Sequence, residues 1–263
     1  MVENHIEKTS LPRLYKRYNR LFLGEGVFET MLVKQRKIVH ADLHWQRMSQ
    51  SALFLGIPFA LSLEEWMAKI TALVKQEGCV QGVIKVILFP IVEERGLVVS
   101  AQESEIVWQF FEYSSPANST SLLSLPWYRD SNNPLYRHKT LSYLENIHAK
   151  RYAQKMGKGD VIIFDQNDYI LETSCSNIFL IIEDVLYTPS THLAILPGIE
   201  RQVTIDKARR NGIACKEACL TREHLYRASA VFVTNSLVGL LPVYHIDNTT
   251  YNLEHPIYQL LKR

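Results

Sequence analysis

Glycine is scarce in this chain, 11 in 263 residues, and the glycine-rich signatures of nucleotide enzymes are missing. Neither the Rossmann fingerprint nor a Walker loop occurs, and no H-E-x-x-H motif or other metal-ligand cluster is present, so dinucleotide, NTP and zinc-protease chemistry have no foothold. No eighteen apolar residues run together, which removes the membrane-spanning helix. The first ten residues, M-V-E-N-H-I-E-K-T-S, are polar and carry acids, unlike a signal or transit segment, so the cytoplasm is the expected compartment. Cysteine is limited to Cys79, Cys175, Cys215 and Cys219. In a reducing compartment these stay thiols, and the C-x-x-x-C of the last two lacks a second ligand pair for zinc, so all four read as small apolar fillers. A net charge of +2 supplies no field that would gather nucleic acid or an anionic membrane, although small anionic ligands stay open.

What is present is an ordinary globular composition, 47% hydrophobic and 21% charged, in a chain long enough for one large domain or two modest ones. Residues 11–18 are basic and irregular. The alternating run V-F-E-T-M-L-V, then K-Q-R-K and I-V-H, predicts a β-hairpin. Asp42 is the expected N-cap of a helix from Leu43 to about Leu55, stopped by Gly56 and Pro58. S-L-E-E at 62–65 predicts a capping box opening a second helix that Gly78 stops. From Gly82 the pattern is β: G-V-I-K-V-I-L-F, a turn near Glu93–Gly96, L-V-V-S-A, and I-V-W-Q-F-F-E-Y. The small polar run at 114–121 is the expected boundary between a small α/β domain, 1–113, and a larger domain, 122–263.

In the second part, S-L-L-S-L-P-W-Y reads as a strand, R-D-S-N-N-P as a loop and Thr140–Met156 as a helix, with Leu141, Leu144 and Ile147 on its inner face. V-I-I-F-D, Y-I-L-E-T, N-I-F-L-I-I-E and V-L-Y-T-P, separated by short polar turns, predict a β-meander, not alternating β and α units. A helix over Ile199–Asn211, a strand at Ile213–Lys216, the run A-V-F-V-T-N-S-L and a C-terminal helix follow. The class is α+β, with a mostly antiparallel, meander or barrel-like sheet in the larger domain.

Four motifs in order, H-W-Q-R at 44–47, K-T-L-S-Y-L-E-N from Lys139, L-E-T-S-C-S-N-I-F from Leu171 and L-P-G-I-E-R at 196–201, carry chemistry. Taken singly, Lys139 reads as a solvated lysine, Glu172 as a strand-end carboxylate and Arg47 as a surface arginine. Together, in this order and spacing, they resemble the fold-type IV pyridoxal-phosphate enzymes, which include branched-chain and D-amino-acid aminotransferases and deoxychorismate lyases; the likeness runs from about Arg20 to Val243.

The resemblance implies pyridoxal 5'-phosphate as cofactor. It implies Lys139 as the amine that condenses with the cofactor aldehyde and Glu172 as the partner of the pyridine nitrogen. Arg47 would bind the phosphate, aided by the backbone of Ile199 and Glu200 at a helix N-terminus and by Ser236 or Asn235. Phe28 and Arg95 are candidates for the substrate's ring and carboxylates. A homodimer is implied, helped by a basic, aromatic stretch, Arg13–Phe22, with no helical or strand face of its own.

Some residues depart from the family pattern. Asn19 stands where relatives carry aspartate, G-E-G at 24–26 replaces G-D-G, and Glu200 stands where many have threonine, so only its N–H and not its side chain is expected at the phosphate. The run T-L-S-Y-L after the lysine differs from the glycine-containing run of branched-chain enzymes, and residues 85–100 lack the arginine-x-histidine trap of the D-amino-acid enzyme. E-R-G at 94–96 and T-N-S-L-V-G-L-L-P-V at 234–243 look more like the lyases. The expected activity is therefore a 4-amino-4-deoxychorismate lyase, ahead of an aminotransferase or a cofactor-binding protein without catalysis.

Overall fold

The structure, a computed structural model, describes residues 16–78, 80–114 and 117–262. The polar first ten residues, residues 11–15 of the basic stretch, Cys79 and residues 115–116 of the expected boundary lie outside the described residues. Two compact units are present: the described part of Met1–Glu112 with Lys139–Tyr143, and Tyr113–His138 with Leu144–Arg263.

The first unit is a four-stranded antiparallel sheet in the order β2-β1-β3-β4, built from β1 (Val27–Lys34), β2 (Lys37–Ile38), β3 (Gln81–Ile91) and β4 (Glu103–Phe111). Helices α1 (Ala41–Leu55) and α2 (Leu63–Glu77) carry the rest of its core. Alternation in β1 sends Val27, Met31 and Val33 inward with Met48, Trp66 and Ile70 of the helices, and the same parity carries Glu29 inside. The capping box at Ser62 forms as expected: Ser62 Oγ accepts from Glu65 N–H at 3.2 Å and Glu65 Oε2 accepts from Ser62 N–H at 2.8 Å.

Three local expectations change in this unit. Helix α1 starts two residues early, with His40 in a left-handed N-cap conformation and Asp42 inside the first turn, where its charge still suits the helix dipole. L-V-V-S-A forms no strand; its first carbonyl, Leu97 O, and that of Gly96 before it accept from Arg20. Leu97 and Val98 stand exposed.

The third change concerns Lys139, which sits on extended backbone, not at a helix start. Phe28 N–H donates to Lys139 O and Leu141 N–H to Gly26 O, both at 2.9 Å, with a bridge between Val27 and Thr140, so the segment joins the sheet beside β1. Gly26 allows that approach: a Cβ there would lie 2.6 Å from Leu141 Cδ1 and 2.7 Å from Leu88 O. The helix begins only at Leu144, as α3 (Leu144–Lys155), and buries Ala149 and Ala153 while Leu144 and Ile147 are exposed.

The second unit holds an eight-stranded mixed sheet. Its members are β5 (Thr120–Arg129), β6 (Asp160–Asp165), β7 (Asn177–Ile182), β8 (Val185–Pro189), β9 (Cys215–Ala218), β10 (Ala230–Asn235), β11 (Gly239–Ile246) and β12 (Thr249–Thr250). The order is β6-β5-β11-β10-β7-β8-β9, with β12 paired to β11. Most pairings are antiparallel, but β5 runs parallel to β6 and β11, and β8 to β9. The expected meander is real only for the β7–β8 hairpin. Y-I-L-E-T makes no regular strand; Ile170 bridges Phe164 and donates to Leu220 O, while Tyr169 bridges Thr221, drawing the two ends of the curled sheet together.

The unbroken apolar runs of β6 and β7 are explained by burial of both faces. Ile162, Phe164, Ile178 and Leu180 enter one core, Val161 and Ile163 pack with Ala149 and Ala153 of α3, and Phe179 and Ile181 pack with Ile205 and Ala208 of α4 (Ile199–Arg210). Short helices α5 (Arg222–Arg227) and α6 (Pro256–Lys262) complete the unit. Among the described residues no helix is long and apolar enough to cross a membrane.

Candidate functional site

In the first unit, the outward face of β1 presents the Phe28 ring. Lys139 Nζ lies 4.4 Å from its centroid and Lys85 Nζ 5.0 Å, and Tyr143 meets the ring edge-on at 5.2 Å. The sheet thus holds a half-buried lysine amine against two aromatic rings, Tyr143 being 5.2 Å from the same nitrogen. Arg95, the other residue expected at substrate, lies on an exposed loop between β3 and β4.

On the opposite face, Glu29 is 1% exposed and takes three donors. Arg47 gives Nε–H to Oε1 at 2.7 Å and Nη2–H to Oε2 at 2.6 Å, a two-toothed ion pair, and His44 Nδ1 meets Oε2 at 2.6 Å. Burial alone would push the Glu29 carboxyl up, but Arg47 and His44 outweigh it and hold it at about 2. Burial likewise presses the His44 imidazole below its usual value against the pull of Glu29, so the ring is neutral at pH 7 and donates its Nδ1–H.

In the second unit, Glu172 is 7% exposed and its carboxylate is fixed by Arg129, Asn177 and a backbone N–H. Oε1 accepts from Arg129 Nη1 at 2.7 Å; Oε2 accepts from Asn177 Nδ2 at 3.3 Å and from Leu196 N–H at 3.1 Å. Arg129 also donates to Ala194 O at 3.3 Å and lies 4.3 Å from the Tyr136 ring centroid. Burial, with Glu145 beside it, pushes the Tyr136 hydroxyl up to about 12. Asn177 Nδ2 donates to Leu196 O at 2.9 Å as well, tying L-E-T-S-C-S-N to L-P-G-I-E-R. Gly198 is needed there, since a Cβ would fall 1.9 Å from Asn177 Oδ1.

Ile199 and Glu200 open α4 behind the Gly198 N-cap, which leaves first-turn N–H groups without helical carbonyls. Asn235 ends β10, donating to Ser176 Oγ at 2.9 Å and accepting from Leu237 and Val238 N–H at 3.0 Å, so its carbonyl closes the turn in which Ser236 sits. Thr234 Oγ1 beside them is buried with no partner among the described residues.

Glu29 and Arg129 escaped the sequence reading. A carboxylate at an inward position of V-F-E-T-M-L-V was the available signal for the first, because a buried charge demands a partner. The second is a guanidinium ending the apolar strand S-L-L-S-L-P-W-Y-R.

Each unit by itself holds groups of the kind a pyridoxal phosphate takes: in the first an amine and a fixed guanidinium, in the second a fixed carboxylate, first-turn N–H groups and the buried Thr234 hydroxyl. The family model for Amino-transferase class IV matches residues 26–246. A provisionally assigned 4-amino-4-deoxychorismate lyase from Legionella pneumophila superposes with a TM-score of 0.90 at 39% identity, covering 92% of this chain and 91% of its own. The Escherichia coli branched-chain amino acid aminotransferase superposes with a TM-score of 0.85 at 25% identity, over 92% of this chain and 84% of its own. In sequence, the D-alanine aminotransferase of Listeria monocytogenes is 29% identical over 85% of this chain and 79% of its own length. With the fold-type IV architecture and a family match spanning most of its length, the chain belongs to the class IV aminotransferases.

Proposed function

We propose that this protein is a 4-amino-4-deoxychorismate lyase, forming 4-aminobenzoate and pyruvate on the way to folate, as a cytoplasmic homodimer. The observation that carries the choice is the 39% identity to the Legionella protein over more than nine-tenths of both chains, against 29% to the D-alanine aminotransferase. The cofactor is pyridoxal 5'-phosphate, which when bound withdraws the electron pair left as a proton leaves the carbon bearing the substrate nitrogen.

The chain's own residues divide the remaining work. Lys139 supplies the amine for the cofactor aldehyde and, at Nζ, the base that takes the proton. Its seat on the Phe28 and Tyr143 rings restricts where that nitrogen can go. Glu172, fixed by Arg129, Asn177 and Leu196 N–H, accepts from the pyridine nitrogen. Arg47 binds the phosphate with the N–H groups of Ile199 and Glu200 and the Ser236 or Asn235 side chain. Phe28 receives the substrate ring, and Arg95 a substrate carboxylate.

A second reading, transamination of D- or branched-chain amino acids, is favoured by the names of the sequence relatives. One pair of incubations separates the two. With aminodeoxychorismate, the lyase releases pyruvate and 4-aminobenzoate without an added keto acid and its visible cofactor band recovers after each turnover. Should that substrate be inert while an amino acid bleaches the band stoichiometrically and 2-oxoglutarate restores it, the transaminase reading replaces the lyase. The homodimer is checked by sedimentation; an active monomer at micromolar concentration refutes it.

A further inference from the structure

We propose that Glu29, steadied by His44, is a positioning residue that aims the Arg47 guanidinium at the cofactor phosphate. The proposal rests on the reading of Arg47 given above. All the contacts that carry it lie inside the first unit. Glu29 sits on β1, and His44 and Arg47 sit three residues apart on one face of α1, so strand and helix meet through one carboxylate. Arg47 engages it through Nε and Nη2, and a guanidinium is planar, so holding those two atoms fixes the direction of the edge that carries Nη1. His44 fixes the carboxylate in turn, at Oε2.

A buried ion pair seldom stabilises a fold more than apolar side chains of equal volume would. Three polar side chains between a strand and a helix, in a core otherwise made of Met31, Met48, Trp66 and their neighbours, therefore need another reason. Orientation supplies it. Two effects of Glu29 on phosphate binding oppose each other: its negative charge repels the anion, while its grip removes the rotamer freedom that a long arginine side chain would otherwise lose on binding. The proposal holds that the second wins, so removing the grip weakens phosphate binding even when the charge is kept.

The test titrates the full chain, stripped of cofactor, with pyridoxal 5'-phosphate and separately with pyridoxal, which lacks the phosphate, for Glu29→Asp, His44→Gln and Arg47→Ala. Glu29→Asp keeps the charge but shortens the reach; its affinity for the phosphorylated form should drop roughly 10-fold or more while that for pyridoxal changes less than about 2-fold. Thermal melts establish that each variant is folded. Where Glu29→Asp is not, His44→Gln decides on the same criterion, with a smaller drop of roughly 3-fold because only the support of Glu29 is lost.

If Arg47→Ala loses the preference for the phosphorylated form and the folded Glu29→Asp keeps or strengthens it, the positioning role is overturned and the phosphate role of Arg47 survives. If Glu29→Asp weakens both ligands equally, Glu29 is merely structural and the role is again overturned. If Arg47→Ala itself keeps the preference, the reading of Arg47 fails and the proposal falls with it.

Discussion

Each unit holds a carboxylate–arginine pair with one member sealed, and in the pairs of Glu29 and Glu172 the sealed member differs. In the first unit the carboxylate is closed off: Glu29 is 1% exposed at its side chain and Arg47 11%. In the second it is the guanidinium: Arg129 is 1% exposed and Glu172 9%. The same chemistry is thus used in opposite senses, with a buried anion holding a cation in one unit and a buried cation holding an anion in the other. The less buried member of each pair is the one assigned to the cofactor, Arg47 to the phosphate and Glu172 to the pyridine nitrogen. Neither pair is a good stability argument, because the desolvation of two charges offsets most of their attraction. Their value lies in direction, since each leaves one side chain pointing one way.

If the pairs only hold the cofactor, the largest loss of activity must come from outside both of them, at Lys139. Lys139→Ala should lower turnover by at least about 10⁴-fold, the upper range for a positioned acid–base group. Borohydride reduction and peptide mapping of the native protein should place the pyridoxyl group on Lys139. A label on Lys150 or Lys155 would break the assignment.

Removing a sealed member should nevertheless cost stability, because a buried charge then loses one of its partners. Arg129→Met removes the Nη1 donor to Glu172 Oε1, the contact to Ala194 O and the guanidinium that lies against the Tyr136 ring. Loss of one partner of a buried pair costs about 3–5 kcal/mol, so urea unfolding should show a drop of that order. A drop under about 1 kcal/mol would mean that Arg129 is not what holds Glu172.

How much of this the sequence could tell depended on sequence distance. The capping box, the hairpin of β1 and β2, and the helix behind Pro197 and Gly198 are written in neighbouring residues and were legible. The continuous runs V-I-I-F-D and N-I-F-L-I-I could be read as strands but not ordered, because their place in the sheet is decided by β5 and β11, which arrive from elsewhere in the chain. Lys139–Tyr143 misled for a physical reason: Leu141, Leu144 and Ile147 have helical spacing, yet hydrogen bonds to Gly26 and from Phe28 draw the segment into extended pairing. The site followed the same rule. Lys139, Glu172 and Arg47 stood in motifs, whereas Arg129 lies 43 residues from the carboxylate it grips and nothing near it in sequence announces the pair. Glu29 could have been found from strand parity alone.

Acid should test the first pair. The Glu29 carboxyl is held at about 2, below the usual 4.5, so the folded form binds its proton less readily than the unfolded chain. The stability this gives is fully present above about pH 4.5 and is lost as pH falls toward about 2; a shift of this size corresponds to roughly 3 kcal/mol. Glu29→Gln should flatten that part of the unfolding profile. An unchanged slope between pH 5 and 2.5 would show that acid sensitivity originates elsewhere.

The smallest effect is expected where a pair has no sealed member. Arg227 Nη2 and Glu183 Oε1 lie 3.0 Å apart, as close as many strong ion pairs, but the side chains are 51% and 80% exposed. Water solvates both charges before and after pairing, and two long side chains must give up freedom to stay together, so the net gain is about 0–1 kcal/mol and shrinks further in salt. Arg227→Ala should therefore leave the urea midpoint nearly unchanged, at low and at high ionic strength alike, and leave cofactor affinity untouched. A loss of more than about 2 kcal/mol would show that separation alone governs these pairs and that burial of one partner does not set them apart. The contrast between Glu29 and Arg129 would then teach nothing about which member meets the cofactor, and the assignment of Arg47 and Glu172 would have to stand on the family match alone.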